Sequence, residues 1–93
     1  MEKVTRQEVL ENMQDFVVRT VTEFGKPYTL VTVRMKNGFI LQESTTCVDP
    51  AGYSEEIGKE ICLEKIEDKI WCLLGYSLQE RLYNERRSKE NLV

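Results

Sequence analysis

The sequence contains no histidine, and its three cysteines, Cys47, Cys62 and Cys72, stand singly with no Cys-x-x-Cys pair. Without histidine there is no unperturbed base near neutral pH and no Ser-His or Cys-His nucleophile pair. The common zinc sites, which combine closely spaced cysteines and histidines, are excluded as well. We therefore expect a protein that is not an enzyme, holds no metal and uses no cofactor.

Long apolar runs are also missing, which excludes a transmembrane span. Met1-Glu2-Lys3 leads directly into a helix-start signal, and no apolar signal-peptide core precedes it. The odd number of unpaired cysteines is typical of a reducing cytosol, and we predict that they are small buried hydrophobic residues. These features together predict a cytoplasmic protein that does not associate with a membrane.

An excess of basic residues is the third absence, because the net charge is −3 and the pI is about 5.0. Binding to a nucleic acid polymer needs lysine and arginine concentrated on one face, so this balance weighs against it. The 93 residues are too few for two hydrophobic cores and predict a single domain, residues 1–93. Many domains of this size gain stability by oligomerising, and a homo-oligomer is expected.

The pattern of the first half predicts a helix followed by strands. Thr5 and Glu8 have the spacing of a capping box, which predicts a short amphipathic helix over residues 6–14. Valine, threonine and phenylalanine enrichment predicts a strand from Phe16 to Phe24, which Gly25-Lys26-Pro27 should break. Two further strand-like runs flank Asn37-Gly38, at Tyr28–Met35 and Phe39–Cys47.

The alternation of side chains between the two faces of a strand indicates how many residues the loop between these two runs contains. A two-residue turn would pair Lys36 with Phe39 and would place Val33 on the opposite face from Leu41. A three-residue loop, residues 36–38, instead pairs Val33 with Leu41 and gives one apolar face. We therefore predict a type I turn closed by a G1 bulge, with Gly38 in the left-handed region.

The second half reads as a turn and then helix. Asp49 should hydrogen-bond the backbone two residues on, and Ser54 is a candidate N-cap. Isoleucine and leucine then recur at helical spacing, which predicts one buried face. Gly75 should end this helix and Ser77 should start a short C-terminal helix to about Arg87. The members of the predicted buried face are Ile57, Ile61, Ile66, Ile70 and Leu73/Leu74.

The fold class is therefore α+β, with a short N-terminal helix and a three-stranded antiparallel meander packed against a long helix and a short C-terminal helix.

Several motifs in this half occur together in one known family. They are Asn37-Gly38-Phe39, Cys47-Val48-Asp49-Pro50 with an aromatic residue at Tyr53, Glu56-Ile57-Gly58, Lys69-Ile70-Trp71 and Leu74-Gly75-Tyr76. In this order they resemble the short phage and prophage proteins of the gp49-like family. The resemblance spans about residues 28–83.

The resemblance implies a phage protein of the Thoeris anti-defence (Tad) type, acting in the cytoplasm of the bacterial host cell. Such proteins bind and sequester cyclic ADP-ribose-type signals without cleaving them, some also take up cyclic oligonucleotides, and they form dimers or larger oligomers. A cyclic nucleotide signal is the partner that this implies. A different reading is a non-catalytic phage early protein that serves as a host-protein interaction module.

A cyclic nucleotide needs an aromatic platform for its base and guanidinium forks for its phosphate oxygens. Tyr53 is the candidate platform, with a packed or capping role as the alternative. Arg81 is the candidate phosphate fork, with an exposed ion pair near Ser77 or Glu85 as the alternative. The weaker candidates for ligand binding are Arg19, Arg34 and Asn37.

Overall fold

The computed structural model describes residues 2–90 as two helices, three strands and a short 3-10 turn. In chain order they are α1 (Arg6–Glu11), β1 (Met13–Glu23), β2 (Lys26–Met35), β3 (Ile40–Thr46), the 3-10 turn Pro50–Gly52 and α2 (Glu55–Glu90). The strands form one antiparallel sheet in the order β1-β2-β3. The predicted α+β class, with a short N-terminal helix, a three-stranded meander and a long helix, is confirmed.

Helix α1 begins at the predicted cap. The Thr5 Oγ1 accepts the N–H of Glu8 at 3.2 Å, as one half of a capping box. The Glu8 carboxylate accepts the Thr5 hydroxyl at 3.3 Å, whereas the capping box places it on the Thr5 N–H. The helix ends at Glu11 and not at residue 14, because Met13 already belongs to β1.

Strands β1 and β2 are joined by a tight two-residue turn. Phe24 and Gly25 both have positive φ, 53° and 73°, as a type I′ hairpin turn requires. The predicted break at Gly25 is confirmed, since β1 ends at Glu23, but it does not extend through Lys26 and Pro27, which already belong to β2. Pro27 is tolerated because its position falls beyond the last pair of β2 with β3, which is Tyr28 with Thr46.

The loop between β2 and β3 has the predicted three residues. Val33 lies opposite Leu41, and the Met35 N–H donates to the Phe39 carbonyl at 2.8 Å. Gly38 has φ 91°, and its N–H donates to the Met35 carbonyl at 2.9 Å. The bulged register is confirmed, and it places the apolar side chains of β2 and β3 on the face that α2 covers.

The hydrophobic core lies between this face and α2. Val31 and Val33 of β2 and Ile66 and Ile70 of α2 are completely buried, and Val9 of α1 closes one end. The opposite face of the sheet is not covered by any element of residues 2–90. No helix within that range is both long enough and apolar enough to cross a bilayer.

Helix α2 differs from the sequence prediction in two ways. It runs unbroken through Gly75 and Ser77, so the predicted end and the separate C-terminal helix are wrong. Its buried stripe follows strict four-residue spacing and consists of Gly58, Cys62, Ile66 and Ile70. Ile57 and Ile61, placed in the buried face by the sequence, are 59% and 39% exposed. A helix of 36 residues is about 54 Å long, so its C-terminal part projects beyond the sheet.

The three cysteines have different environments, although the sequence predicts that all of them are buried. Cys62 is buried, Cys47 is half-buried and Cys72 is exposed, and all three are free thiols. The prediction of a buried residue is therefore wrong for Cys72. Burial raises the pKa of the Cys62 thiol, and the Glu43 carboxylate adds to this while Lys65 opposes it.

Candidate functional site

A chain of polar side chains joins the start of α2 to the sheet. Before it, the Asp49 carboxylate accepts the Ala51 N–H at 3.0 Å, as predicted, and this starts the 3-10 turn that delivers Tyr53. The Ser54 Oγ then caps α2 by accepting the Ile57 N–H at 3.3 Å. The backbone on both sides of Tyr53 is thus held by local hydrogen bonds.

The Tyr53 hydroxyl lies 2.8 Å from the Thr20 Oγ1 and 2.7 Å from the Thr29 Oγ1. Thr20 also donates its single hydroxyl proton to the Glu55 carboxylate, so it has no proton left for Tyr53. Tyr53 must therefore donate to Thr20, and Thr29 must donate to Tyr53. The result is a directed series of hydrogen bonds, Thr29 to Tyr53 to Thr20 to Glu55, which we call the Tyr53 chain.

The Tyr53 chain explains several features at once. Thr29 is completely buried, and Tyr53 is the side-chain partner of its hydroxyl among residues 2–90. Glu55 is in the first turn of α2, where a negative charge is stabilised by the helix dipole. Of the two roles open to Tyr53 from the sequence, this geometry supplies a packing role, and its ring remains half-buried.

Replacing Tyr53 by phenylalanine is expected to lower the free energy of unfolding by about 1–3 kcal/mol, because the buried Thr29 hydroxyl loses its partner. Urea unfolding followed by circular dichroism measures the change. Tyr28→Phe is the matched control, since the Tyr28 hydroxyl bonds the Glu23 carboxylate at 3.1 Å on the exposed side of the hairpin. Equal losses in the two variants would contradict the directed chain.

A cavity next to the Tyr53 chain is small, about 100 Å³. Its wall includes Thr29, Thr45, Cys47, Tyr53 and Gly58. Pockets for drug-sized ligands measure roughly 300–1,000 Å³, and one water occupies about 30 Å³ of the liquid. One subunit alone therefore has space for a few water molecules here, and not for a nucleotide.

Arg81 lies in a larger, open groove of about 360 Å³ between α2 and the residues that precede and begin α1. The Arg81 guanidinium donates to the Glu2 carboxylate, and both side chains are more than half exposed. This ion pair replaces the one near Ser77 or Glu85 that the sequence left open. We call this surface the Arg81 groove; its lining residues are Glu2, Lys3, Val4, Glu8, Leu74, Ser77, Leu78 and Arg81.

The Arg81 groove combines features that an anionic, ring-containing ligand would use. Leu74 and Leu78 form an apolar floor, while Lys3 and Arg81 supply positive charge at the rim. One nitrogen of the Arg81 guanidinium already donates to the Glu2 carboxylate, so an oxyanion can reach Arg81 in this groove. The carboxylates of Glu2 and Glu8, which also line the groove, would compete with an anionic ligand for Lys3 and Arg81.

The weaker candidate residues lie elsewhere in the fold. Arg19 is exposed on β1, on the face of the sheet away from α2. Arg34 donates to the Asp15 carboxylate on the same face. The Asn37 side chain accepts the Phe39 N–H at 3.0 Å, so it serves the bulged loop. The roles of these three residues in ligand binding remain predictions.

The structure does not bring the two main candidates together within one subunit. Tyr53 precedes the start of α2 and Arg81 follows 28 positions later, which corresponds to roughly 42 Å along a helix. A nucleotide that contacts both residues would therefore have to lie between two subunits. The prediction for each residue stands separately, and their combination in one pocket depends on assembly.

Sequence reasoning missed two surfaces. Glu2 and Lys3 line the Arg81 groove, yet 79 positions separate Glu2 from Arg81, and no local pattern links them. An apolar groove of about 470 Å³ also lies where α2 leaves the sheet, lined by Phe39, Leu41, Asp68, Lys69, Cys72 and Leu73. The positions of Cys72 and Leu73, two and three residues after Ile70 of the buried stripe, were the signal that could have indicated this second surface.

A family model described as the phage protein (N4 Gp49/phage Sf6 gene 66) family matches residues 4–82. This match includes α1, the whole sheet and most of α2. Comparison with curated proteins and with solved structures gives no match.

Proposed function

The chain belongs to the phage protein (N4 Gp49/phage Sf6 gene 66) family, and from this premise we propose that it is an immune-evasion protein of the phage. In this proposal it binds a cyclic ADP-ribose-type defence signal of the bacterial host and holds it without cleaving it. Cyclic oligonucleotides are a second possible ligand class. The motifs around Tyr53 and Gly75 resemble the gp49-like family, and the Tad type that this resemblance implies is the basis of the assignment.

The observation that supports the proposal best is the Arg81 groove. Its volume of about 360 Å³ is within the range of small-molecule sites, and it joins an apolar floor to a guanidinium fork. The base of a cyclic nucleotide would pack on Leu74 and Leu78 while its phosphate oxygens displace the Glu2 carboxylate from Arg81. A second subunit would supply the aromatic platform, because Tyr53 lies too far away in the same chain.

Isothermal titration calorimetry with cyclic ADP-ribose isomers and cyclic dinucleotides tests this function. Arg81→Ala is expected to weaken binding by about 2 kcal/mol, which corresponds to roughly 30-fold in Kd. Glu2→Ala is expected to tighten binding, because it removes the carboxylate that competes for Arg81. The matched control is Arg87→Ala, which removes an exposed arginine near the end of α2 and should leave the affinity unchanged.

Two results would contradict the proposal. Absence of heat across the whole panel would remove the signal-binding function, and unchanged affinity in Arg81→Ala would remove the Arg81 groove from it. If a bound ligand is recovered chemically altered after the protein is denatured, then sequestration without cleavage is wrong.

The second candidate function is a host-protein interaction module, and the apolar groove beside Cys72 favours it. Phe39 is 52% exposed and Leu73 is 39% exposed, and both line this groove. Tyr76, which is 70% exposed, follows Leu73 by three residues on α2. Contiguous apolar surface of this kind is typical of protein interaction sites. A silent calorimetry panel would leave this function as the better account of the molecule.

A further inference from the structure

Strand β1 has an exposed edge whose backbone groups can be assigned. The two-residue turn is closed by hydrogen bonds between its flanking residues, so Glu23 bonds toward Lys26 of β2. In an antiparallel ladder such residues alternate with those that point away from the neighbouring strand. The register is regular from Glu23 back to Asp15, so the odd-numbered residues of β1 in this range bond to β2. The even-numbered residues direct their N–H and C=O groups away from β2; they are Phe16, Val18, Thr20 and Thr22.

The two edges of the sheet are protected differently. On β3, the Lys65 ammonium donates to the outward-facing Ser44 carbonyl at 3.2 Å, and Lys69 pairs with the Glu43 carboxylate. On β1, no side chain of residues 2–90 bonds the outward backbone groups. Helix α2 lies mainly over β2 and β3, so this edge is open over a strand of 11 residues. A long unpaired edge of this kind is a template for another strand.

We propose that the β1 edge pairs with the β1 edge of a second copy of this chain, antiparallel and centred on Val17. A two-fold axis at Val17, perpendicular to the sheet, places Asp15 of each copy opposite Arg19 of the other. The same register places Phe16 opposite Val18, and these are both residues with outward backbone groups. Two opposite-charge pairs and two apolar pairs then face each other across the axis, each of which stabilises an antiparallel ladder.

Other symmetric registers are less favourable. An axis at Asp15 or at Arg19 sets two like charges directly opposite each other, which is destabilising. An axis at Phe16 or Val18 places both charged residues opposite apolar ones. Among the axes from Asp15 to Arg19, only the one at Val17 is complementary in charge and also pairs outward-pointing residues with outward-pointing residues. An axis at Val21 also sets Arg19 opposite Glu23, but it pairs Thr20 with Thr22 in place of Phe16 with Val18, and its ladder runs into the turn at Phe24 and Gly25. Disulfide linking of Val21→Cys in place of Val17→Cys would identify that register and overturn the one at Val17.

The surroundings of Asp15 and Arg19 agree with this register. Arg34 already binds the Asp15 carboxylate from β2, and the second carboxylate oxygen is available for the arginine of the other copy. A register shift between Met13 and Asp15 leaves Gln14 as a bulge, which ends the shared ladder after about five residues. The product is a continuous six-stranded sheet with both α2 helices on the same face. This inference stands independently of the proposed ligand.

A cysteine at the axis tests the register. Pairs of the Val17 type are not hydrogen-bonded to each other, and their Cα atoms lie about 4.5 Å apart, within the range for a disulfide. In a Cys72→Ser background, which removes the exposed native thiol, Val17→Cys is expected to form a disulfide-linked dimer under mild oxidation. Val21→Cys is the matched control on the same face; its two copies would be roughly 27 Å apart and should not link.

Proline substitutions test the edge itself by sedimentation equilibrium. Phe16→Pro removes an outward N–H within the shared ladder and is expected to raise the dimer dissociation constant at least about tenfold. Thr22→Pro also removes an outward N–H, but it lies outside the ladder and should leave the dimer unchanged. Arg19→Glu, which faces Asp15 of the other copy, is expected to weaken the dimer by about tenfold as well.

A wild-type chain that stays monomeric at tens of micromolar would overturn the pairing. So would equal linking of Val17→Cys and Val21→Cys, or a dimer that resists both Phe16→Pro and Arg19→Glu. These outcomes are separate from those of the ligand tests. A dimer that binds no nucleotide would contradict the proposed function alone. A monomer that binds one would contradict the pairing and the platform from a second subunit, while the sequestration function itself would stand.

Discussion

Gly58→Ala is expected to destabilise the fold, although alanine is normally the better helix former by about 1 kcal/mol. A Cβ at this position would lie 2.1 Å from the Thr29 Oγ1 and 2.7 Å from the Thr29 Cβ. The second distance involves an atom next to the β2 backbone, so a rotation of the Thr29 side chain does not relieve the clash. Helix α2 would have to move away from β2, and we expect a net loss of about 1–3 kcal/mol in the free energy of unfolding.

The same displacement should disturb the Tyr53 chain, since Thr29 is its first donor. Gly75→Ala is the matched control in the same helix, because no described atom lies within 4 Å of the Cβ it would add. That variant should gain up to about 1 kcal/mol from helix propensity. Chemical denaturation of both variants measures the change in the free energy of unfolding, which is expected to be a loss for Gly58→Ala and a gain for Gly75→Ala. A stabilised Gly58→Ala would mean that α2 and β2 are not in close contact at Thr29.

The loop between β2 and β3 shows what the sequence can predict. Side chains alternate strictly between the two faces of a strand, so a loop one residue longer or shorter puts Val33 and Leu41 on different faces. This information lies within a dozen residues and needs no knowledge of the rest of the fold. The cap at Thr5, the turn at Asp49 and the cap at Ser54 were predictable for the same reason.

Helix α2 shows where local information is insufficient. Gly75 was read as a helix end, but a single glycine costs only about 1 kcal/mol, which continued helix formation on both sides offsets. The buried stripe was displaced by one position at its start, because hydrophobicity favours Ile57 over Gly58. Gly58 is the buried residue instead, because the close approach of α2 to Thr29 requires a residue with no side chain at that position.

The candidate site was predictable only in part. Tyr53 stood out because it occupies a polar turn, but its hydroxyl partners come from two strands that are distant in sequence. Arg81 stood out on its helix, and yet its partner is Glu2, at the other end of the chain. Contacts of this kind depend on tertiary structure, and a single sequence has no periodic signal for them.

Ile70→Ala and Ile57→Ala form the sharpest test of which face α2 buries. The sequence pattern assigns both residues to one face, whereas the structure buries Ile70 completely and leaves Ile57 59% exposed. Truncating Ile70 removes three carbons from the core between α2 and β2, which is expected to cost about 2–5 kcal/mol. A domain of this size has a total stability of roughly 5–14 kcal/mol, so the variant should be close to unfolding at 37 °C.

Ile57→Ala should change the free energy of unfolding by less than about 1 kcal/mol, because most of its side chain is already in water and alanine favours the helix. Urea titrations of the two variants and the wild type, analysed with one common m-value, give the comparison directly. Similar losses at both positions would mean that α2 is rotated so that the isoleucine stripe of the sequence, and not the stripe through Gly58 and Cys62, faces the sheet. Such a rotation would also disturb the Tyr53 chain, because Thr29 contacts Tyr53 and lies directly against Gly58.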